Sequence, residues 1–176
     1  MNSENTNGSS SEGLERALTK RITVYGPHFP FKEKKRLDNL CAWIRENKYK
    51  NISLVINLPD SYFPFPMNRD SDIRNWERSE YCLKTSALNI LIFTLEGKNS
   101  GVTSELDYMV ENNLDFLIFV ETKIQIKGRK KKKVRAGSSL IRGRLKKLSK
   151  AYHEFTSGNE DDFHNAVYQS ICDFFQ

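Results

Sequence analysis

The sequence contains no long hydrophobic run, few cysteines and histidines, and little proline outside one loop. None of its apolar stretches approaches the ~20 residues that a membrane-spanning helix needs, and its first residues lack the apolar core of a signal peptide. The three Cys and three His do not have the spacing of metal ligands or of a redox pair. These absences predict a cytoplasmic protein with reduced thiols, no metal site, no cofactor and no membrane partner.

The positive charge of the chain is concentrated in one segment. The net charge is +6, but 12 of the 28 Lys and Arg residues lie between Lys127 and Lys150, where no acidic residue occurs. The run from Lys127 to Arg135 is predicted to be solvated and mobile because its cations repel one another. The whole segment is then a solvated insertion, or one that pairs with the acidic remainder of the chain in an oligomer. Two other interpretations are a nucleic-acid contact through phosphates and a phosphate site in which Arg142 or Arg144 follows Ser138–Ser139.

Strand and helix patterns alternate along the chain. Apolar runs predict strands at Arg21–Tyr25, Asn51–Leu58, Leu88–Leu95 and Leu114–Glu121, with a short edge strand at Ala151–Thr156. Helical spacing predicts helices at Lys32–Lys48, Asp72–Ser86, Val102–Asn113, Ser138–Leu148 and Glu160–Phe175. This order predicts an α/β, flavodoxin-like three-layer sandwich with a mostly parallel sheet of four to five strands. We expect residues 20–176 to form this single domain, with the basic insertion at 127–150 and a poorly ordered segment at 1–19.

A loop rich in proline and aromatic residues follows the second predicted strand. The segment Pro59–Arg69 contains three of the five prolines together with Tyr62, Phe63 and Phe65. The segment is long enough to form a lid or a pocket wall. An aromatic plug over the edge of the sheet is the alternative interpretation.

The stretch from Leu88 to Tyr108 combines a buried strand, a Gly-containing loop and the start of a helix. Glu105 is predicted to lie near the N-terminus of that helix, at the carboxyl end of a parallel strand. Open α/β sheets bind ligands at this edge. A Glu in this position also interacts favourably with the helix macrodipole. The pattern is therefore compatible with either a ligand site or simple helix stabilisation.

Two segments of the chain resemble the nucleoside 2-deoxyribosyltransferase-like family. Ile22–Phe29 is similar to the first strand and turn of that family, and Asn99–Met109 is similar to its acid-plus-nucleophile segment. TIR-type folds that cleave NAD share the layout and also use a Glu on a helix, so they are a neighbouring possibility. The resemblance implies a pocket for a nucleoside, a nucleotide or an NAD-like molecule, in a protein that is a homo-oligomer.

The resemblance also implies roles for individual residues. Glu105 would attack the sugar carbon of an N-glycosidic bond, and Tyr25 would orient its carboxylate through a hydrogen bond. An ionised carboxylate against the sugar stabilises an oxocarbenium-like transition state or bonds to it. The expected substrate-binding residues are Gly26, Pro27 and Phe29 in the first turn, and Ser100, Gly101 and Tyr108 around the nucleophile.

The proton donor of the family is not matched in this sequence. Asn99 stands where family members usually have a proton-donating Asp, and Ala87 where an Asp often precedes the central strand. A further family acid falls near Ser79, and Glu80 could replace it only if the helix register differs by one residue. General acid catalysis is worth typically ~10²–10⁴-fold. The sequence therefore leaves three alternatives: a slow enzyme, an enzyme with a good leaving group such as nicotinamide, or a non-catalytic nucleotide-binding sensor.

Overall fold

The computed structural model describes residues 19–47, 53–61, 71–128, 130–148 and 152–176. Within these ranges the strands are β1 (Thr19–Tyr25), β2 (Ser53–Asn57), β3 (Leu88–Phe93), β4 (Phe116–Lys127), β5 (Lys130–Arg135) and β6 (Tyr152–Thr156). The helices are α1 (Phe31–Glu46), α2 (Ser71–Thr85), α3 (Ser100–Glu111), α4 (Ser139–Lys147) and α5 (Glu160–Phe174), with a 3-10 turn at Pro59–Ser61. The predictions for residues 1–18 and for residues 62–70 of the Pro-rich loop lie outside the described residues.

The sheet is parallel apart from one strand. Its order is β2-β1-β3-β4, and the outer edge of β4 is shared between two partners. β6 pairs parallel with Ile118–Thr122, and β5 pairs antiparallel with Thr122–Lys127. The five parallel strands carry helices on both faces, which confirms the predicted flavodoxin-like three-layer fold.

Two apolar cores lie on opposite faces of the sheet. On one face, alternate residues of β1 and β3, such as Ile22 and Ile90, pack with α1 and α5. On the other face, Leu91 and Phe93 pack with α2, α3 and α4. All six residues of β3 are buried, because a strand covered on both faces has no side that faces solvent.

The basic segment differs most from its prediction. Lys130–Arg135 is not an irregular stretch but forms strand β5, and five of its six side chains are exposed to solvent, as predicted. β4 does not end at Glu121 but continues to Lys127, so the two strands form a hairpin with Gly128 at φ 59° in its turn. Ladder hydrogen bonds between the strands stabilise this arm, while the alternation of side chains distributes its cations over both faces.

No helix of the described ranges combines the length and the apolar character that a bilayer span requires.

Candidate functional site

A cavity of about 460 Å³ opens at the carboxyl edge of the sheet. Its walls are the end of β1 (Tyr25, Gly26, Pro27, His28), the 3-10 turn (Pro59, Asp60), α2 (Asn75, Arg78, Ser79) and the start of α3 with its preceding loop (Lys98, Gly101, Val102, Glu105). β1 lies between β2 and β3, so the strand order reverses here. Such a switch point leaves a crevice because the adjacent connections run to opposite faces of the sheet.

Glu105 presents its carboxyl group to this cavity from the second turn of α3. The Ser79 hydroxyl donates a hydrogen bond of 3.1 Å to Glu105 Oε1. Neither a Lys nor an Arg of the described residues pairs with this carboxyl group. Burial raises the pKa of Glu105 to about 8, and the hydrogen bond from Ser79 acts against the rise. The group is therefore mostly protonated at neutral pH and becomes a carboxylate near pH 8.

Tyr25 does not make the hydrogen bond predicted for it. Its ring is only 1% exposed, and its hydroxyl donates a long hydrogen bond of 3.5 Å to the backbone carbonyl of Ser79. Burial, followed by the nearby Cys82 and Glu105, raises the pKa of Tyr25 far above its usual value. Tyr25 thus stays neutral and contacts the backbone of α2 at Ser79. The residue that hydrogen-bonds to Glu105 is Ser79, not Tyr25.

The first turn is shaped by close packing. Gly26 and Pro27 line the cavity, and a Cβ added to Gly26 would lie 2.6 Å from Leu37 Cδ1. A Cβ added to Gly97 would overlap Pro27 and Thr94, so the loop after β3 presses against the turn after β1. A side chain at either glycine would have to displace these neighbours, which makes both positions important for the shape of the cavity.

Asn99 holds this loop closed. Its side-chain oxygen accepts from the Thr94 amide at 3.1 Å, and its nitrogen donates to the carbonyls of Thr94 and Gly97 at 2.9 and 3.0 Å. Asn99 does not line the cavity. Its assignment as a catalytic residue is replaced by a structural role, because all these contacts lie within the loop.

Four other predicted site residues do not line the cavity. Glu80 pairs with Lys84 at 2.8 Å and accepts from the Tyr108 hydroxyl at 3.1 Å. Lys84 and, after it, Tyr108 lower the pKa of Glu80, which makes it unsuitable as a proton donor. Phe29 is 62% exposed, and Ser100 is exposed at the helix start. Only Glu105, Tyr25, Gly26, Pro27 and Gly101 of the predicted site residues meet at the cavity.

Sequence reasoning missed three charged residues of the cavity wall, Asp60, Arg78 and Lys98. Arg78 Nε is buried and has no hydrogen-bond partner among the described residues. Asp60 pairs through Oδ2 with Lys34 at 2.7 Å, whereas its buried Oδ1 has no partner there. One signal was available for Asp60, which lies in the 3-10 turn shortly after β2, at the carboxyl edge of the sheet. Arg78 had no comparable signal, since a single Arg on an amphipathic helix is ordinarily solvated.

The cavity combines three kinds of polar group. The guanidinium group of Arg78, whose Nε has no hydrogen-bond partner among the described residues, and Lys98 on the loop before α3 give the wall positive charge that suits an anion. Asp60 Oδ1 offers an acceptor to a hydroxyl group, and Glu105 supplies a carboxyl group that can exchange its proton near pH 8. A ligand carrying both hydroxyl groups and an anionic group matches this set. The described residues contain no cluster of three or more metal-ligating side chains.

Comparisons with known proteins bear on the fold alone. No protein-family model matches the chain, and no curated protein is significantly similar to it. The crystal structure of a conserved protein from Enterococcus faecalis V583 is similar, with a TM-score of 0.50 at 14% sequence identity. The match covers 86% of this chain and 99% of that chain. At this identity the likeness shows a shared α/β fold.

Proposed function

We propose that the protein cleaves the N-glycosidic bond of a nucleoside, a nucleotide or an NAD-like molecule and passes the glycosyl group to water or to another base. The observation that carries this proposal is Glu105, a carboxyl group without a cationic partner that faces a cavity of about 460 Å³ at the sheet's switch point. A structural carboxylate in such a place would ordinarily be paired. A pentose ring and its base fit a cavity of this size.

Glu105 acts in its ionised form. One carboxylate oxygen bonds to the sugar carbon as the bond to the base nitrogen breaks, and the electron pair of that bond leaves with the base. Water or a second base then displaces the carboxylate and regenerates Glu105. The Ser79 hydroxyl stabilises the charged state through its hydrogen bond at 3.1 Å. Activity therefore depends on the fraction of Glu105 that is ionised.

The nature of the leaving base matters because neither residue predicted at the proton-donor position lines the cavity. Asn99 and Glu80 are turned to other partners. A neutral purine or pyrimidine needs a proton as it leaves, whereas a cationic base such as nicotinamide leaves as a neutral molecule. A cationic base also favours ionisation of Glu105 through charge attraction. These two points favour substrates whose base carries a positive charge.

Arg78 and Lys98 favour a phosphorylated substrate over a free nucleoside. A guanidinium donates well to phosphate oxygens, and the buried Nε of Arg78 has no hydrogen-bond partner among the described residues. Asp60 Oδ1 would accept a hydrogen bond from a sugar hydroxyl. The substrate class that uses all these groups is a nucleotide, with NAD-like dinucleotides included.

A non-catalytic nucleotide sensor is the second candidate. It is favoured by the raised pKa of Glu105, about 8, which leaves the nucleophile largely protonated at neutral pH. The same Arg78 and Asp60 contacts would serve such a sensor. A homo-oligomer that completes the pocket and a cytoplasmic location remain predictions.

The test is base release from a panel of nucleosides, nucleoside 5′-monophosphates and NAD between pH 6 and 9, followed by chromatography. We expect release by the wild-type chain and none by Glu105→Gln. Glu111→Gln, at an exposed acid on the same helix, is the matched control. Release that survives Glu105→Gln overturns the assignment of the nucleophile. Tight nucleotide binding without release by the wild type favours the sensor.

A further inference from the structure

The β4–β5 hairpin and helix α4 enclose a basic groove that the proposed reaction does not use. One cleft of about 330 Å³ is lined by Arg135, Arg142, Lys146, Tyr152 and Glu154, among others. A second cleft, of about 220 Å³, includes Lys132, Lys133, Arg135 and Arg142. The two clefts share two arginines, so they form one continuous path along β5. We call this path the basic groove.

The hairpin carries cations on both of its faces. Ile124 and Ile126 pair across the strands with Lys133 and Lys131, and Gln125 pairs with Lys132. Directly paired residues point to the same side of a sheet, and successive residues alternate. Lys131 and Lys133 therefore lie beside the exposed isoleucines, while Lys132 lies on the opposite face.

Only part of this charge is neutralised within the described residues. Glu154 pairs with Lys133 and Arg135, and Asp107 pairs with Arg144. The described acids form no ion pair with Lys130, Lys131, Lys132 or Lys146, all of which are exposed. Arg142 donates to the Gly137 carbonyl, which holds its guanidinium at the groove. The groove thus keeps an excess of positive charge, and the Arg142 side chain is held in place by its hydrogen bond to Gly137.

We propose that the basic groove and the hairpin bind the sugar–phosphate backbone of a nucleic acid. A chain of phosphates is complementary to a row of cations and releases counterions when it binds. The path between β5 and α4 is concave, and the Tyr152 ring in its wall packs against the apolar core, so the groove offers cations to phosphates rather than a platform to bases. An anionic bilayer is a poorer fit, because a plane contacts only one face of the hairpin and does not enter a groove.

The test is fluorescence anisotropy of the full chain with labelled single-stranded RNA and DNA 20-mers at several salt concentrations. We expect Lys130→Gln/Lys131→Gln/Lys132→Gln to weaken binding at least ~10-fold and to lower the salt slope by ~2, since each single-strand phosphate contact contributes ~0.7. The matched control, Lys32→Gln/Lys35→Gln/Arg45→Gln, removes the same charge from exposed positions of α1 and should leave the affinity within ~2-fold of the wild type.

A second variant keeps the test valid if the hairpin triple mutant misfolds. Arg142→Gln/Lys146→Gln lies on α4 and should weaken binding on its own. The proposal is overturned if neither oligonucleotide binds at 50 mM salt, or if the α1 control loses as much affinity as the groove variants. Binding to phosphatidylserine vesicles without binding to either oligonucleotide would assign the surface to membranes instead.

Discussion

Glu105 and Glu121 are two carboxylates near the same edge of the sheet, and their surroundings are opposite. Glu121 is 4% exposed; it accepts from Arg36 Nη1 at 2.9 Å and from the Leu95 amide at 2.7 Å. Glu105 faces a cavity and accepts from one hydroxyl group, that of Ser79. Residue type and position in the fold are therefore insufficient to distinguish a carboxylate held by a cation from one that faces a cavity. The partners of each group make the distinction.

Arg36 explains why Glu121 is structural. Its guanidinium also pairs with Glu160 at 2.8 Å and lies 5.2 Å from the ring centroids of Phe155 and Phe163. This single side chain joins α1 to β4 and to the start of α5. A buried charge pair of this kind is expensive to break because the remaining charge stays desolvated.

The largest expected effect concerns activity. Glu105→Gln should lower base release by at least ~10³-fold, because a side-chain amide does not replace a carboxylate nucleophile. The corresponding change at the structural carboxylate, Glu121→Gln, should leave the rate per folded molecule within ~10-fold. Single-turnover chromatography measures both rates. A loss of activity that is equal in the two variants would contradict the comparison.

The next effect concerns stability. Arg36→Met should destabilise the protein by ~3–5 kcal/mol, since it leaves Glu121 buried without its cation. Urea denaturation followed by circular dichroism measures the change. Lys84→Met, which removes an exposed partner of Glu80, is the control and should cost less than ~1 kcal/mol. An equal, small cost for both variants would show that the pair at Glu121 is unimportant.

The third prediction concerns how protein stability changes with pH because of Glu105. The pKa of Glu105 is raised from 4.5 to about 8 in the folded chain, so the unfolded chain releases this proton first as the pH rises. The wild type therefore loses stability between about pH 4.5 and 8. Glu105→Gln, which has no such proton, should be more stable than the wild type at pH 8.5 and similar to it at pH 4.5. Melting temperatures across this range that run parallel for the two chains would argue against a buried, proton-exchanging Glu105.

The smallest effect is expected at Ser79. Ser79→Ala removes the hydrogen bond that favours the charged form of Glu105, so the pKa of Glu105 should rise above about 8. The pH at which base release reaches half of its maximum should move upward by about 1 unit, as expected for one hydrogen bond to a charged group. Ser104→Ala, at an exposed position of α3, is the control. An unchanged pH profile would show that Ser79 does not act on the carboxylate.

Strands β1 and β3 and the helices around them could be predicted because their patterns are locally consistent. Leu88–Phe93 reads as a strand covered on both faces, and all six residues are buried. The position of Glu105 near the start of a helix could be predicted from the alternation of strand and helix patterns along the chain. The hairpin was not predicted, because a run of four lysines at 130–133 indicates a solvated loop rather than a strand. β5 forms because it pairs with the extension of β4, and this pairing has no local sequence pattern.

The amino-acid sequence by itself determined the layers of this protein and the carboxylate at their edge, because hydrophobic periodicity and strand–helix alternation are local properties. Only the tertiary structure decided which polar groups meet. It placed Ser79 rather than Tyr25 against Glu105, folded Asn99 into its own loop, and brought Arg78 and Asp60 into the cavity wall. Hydrogen-bond partners depend on positions that are distant in the chain, so their choice follows from packing rather than from spacing.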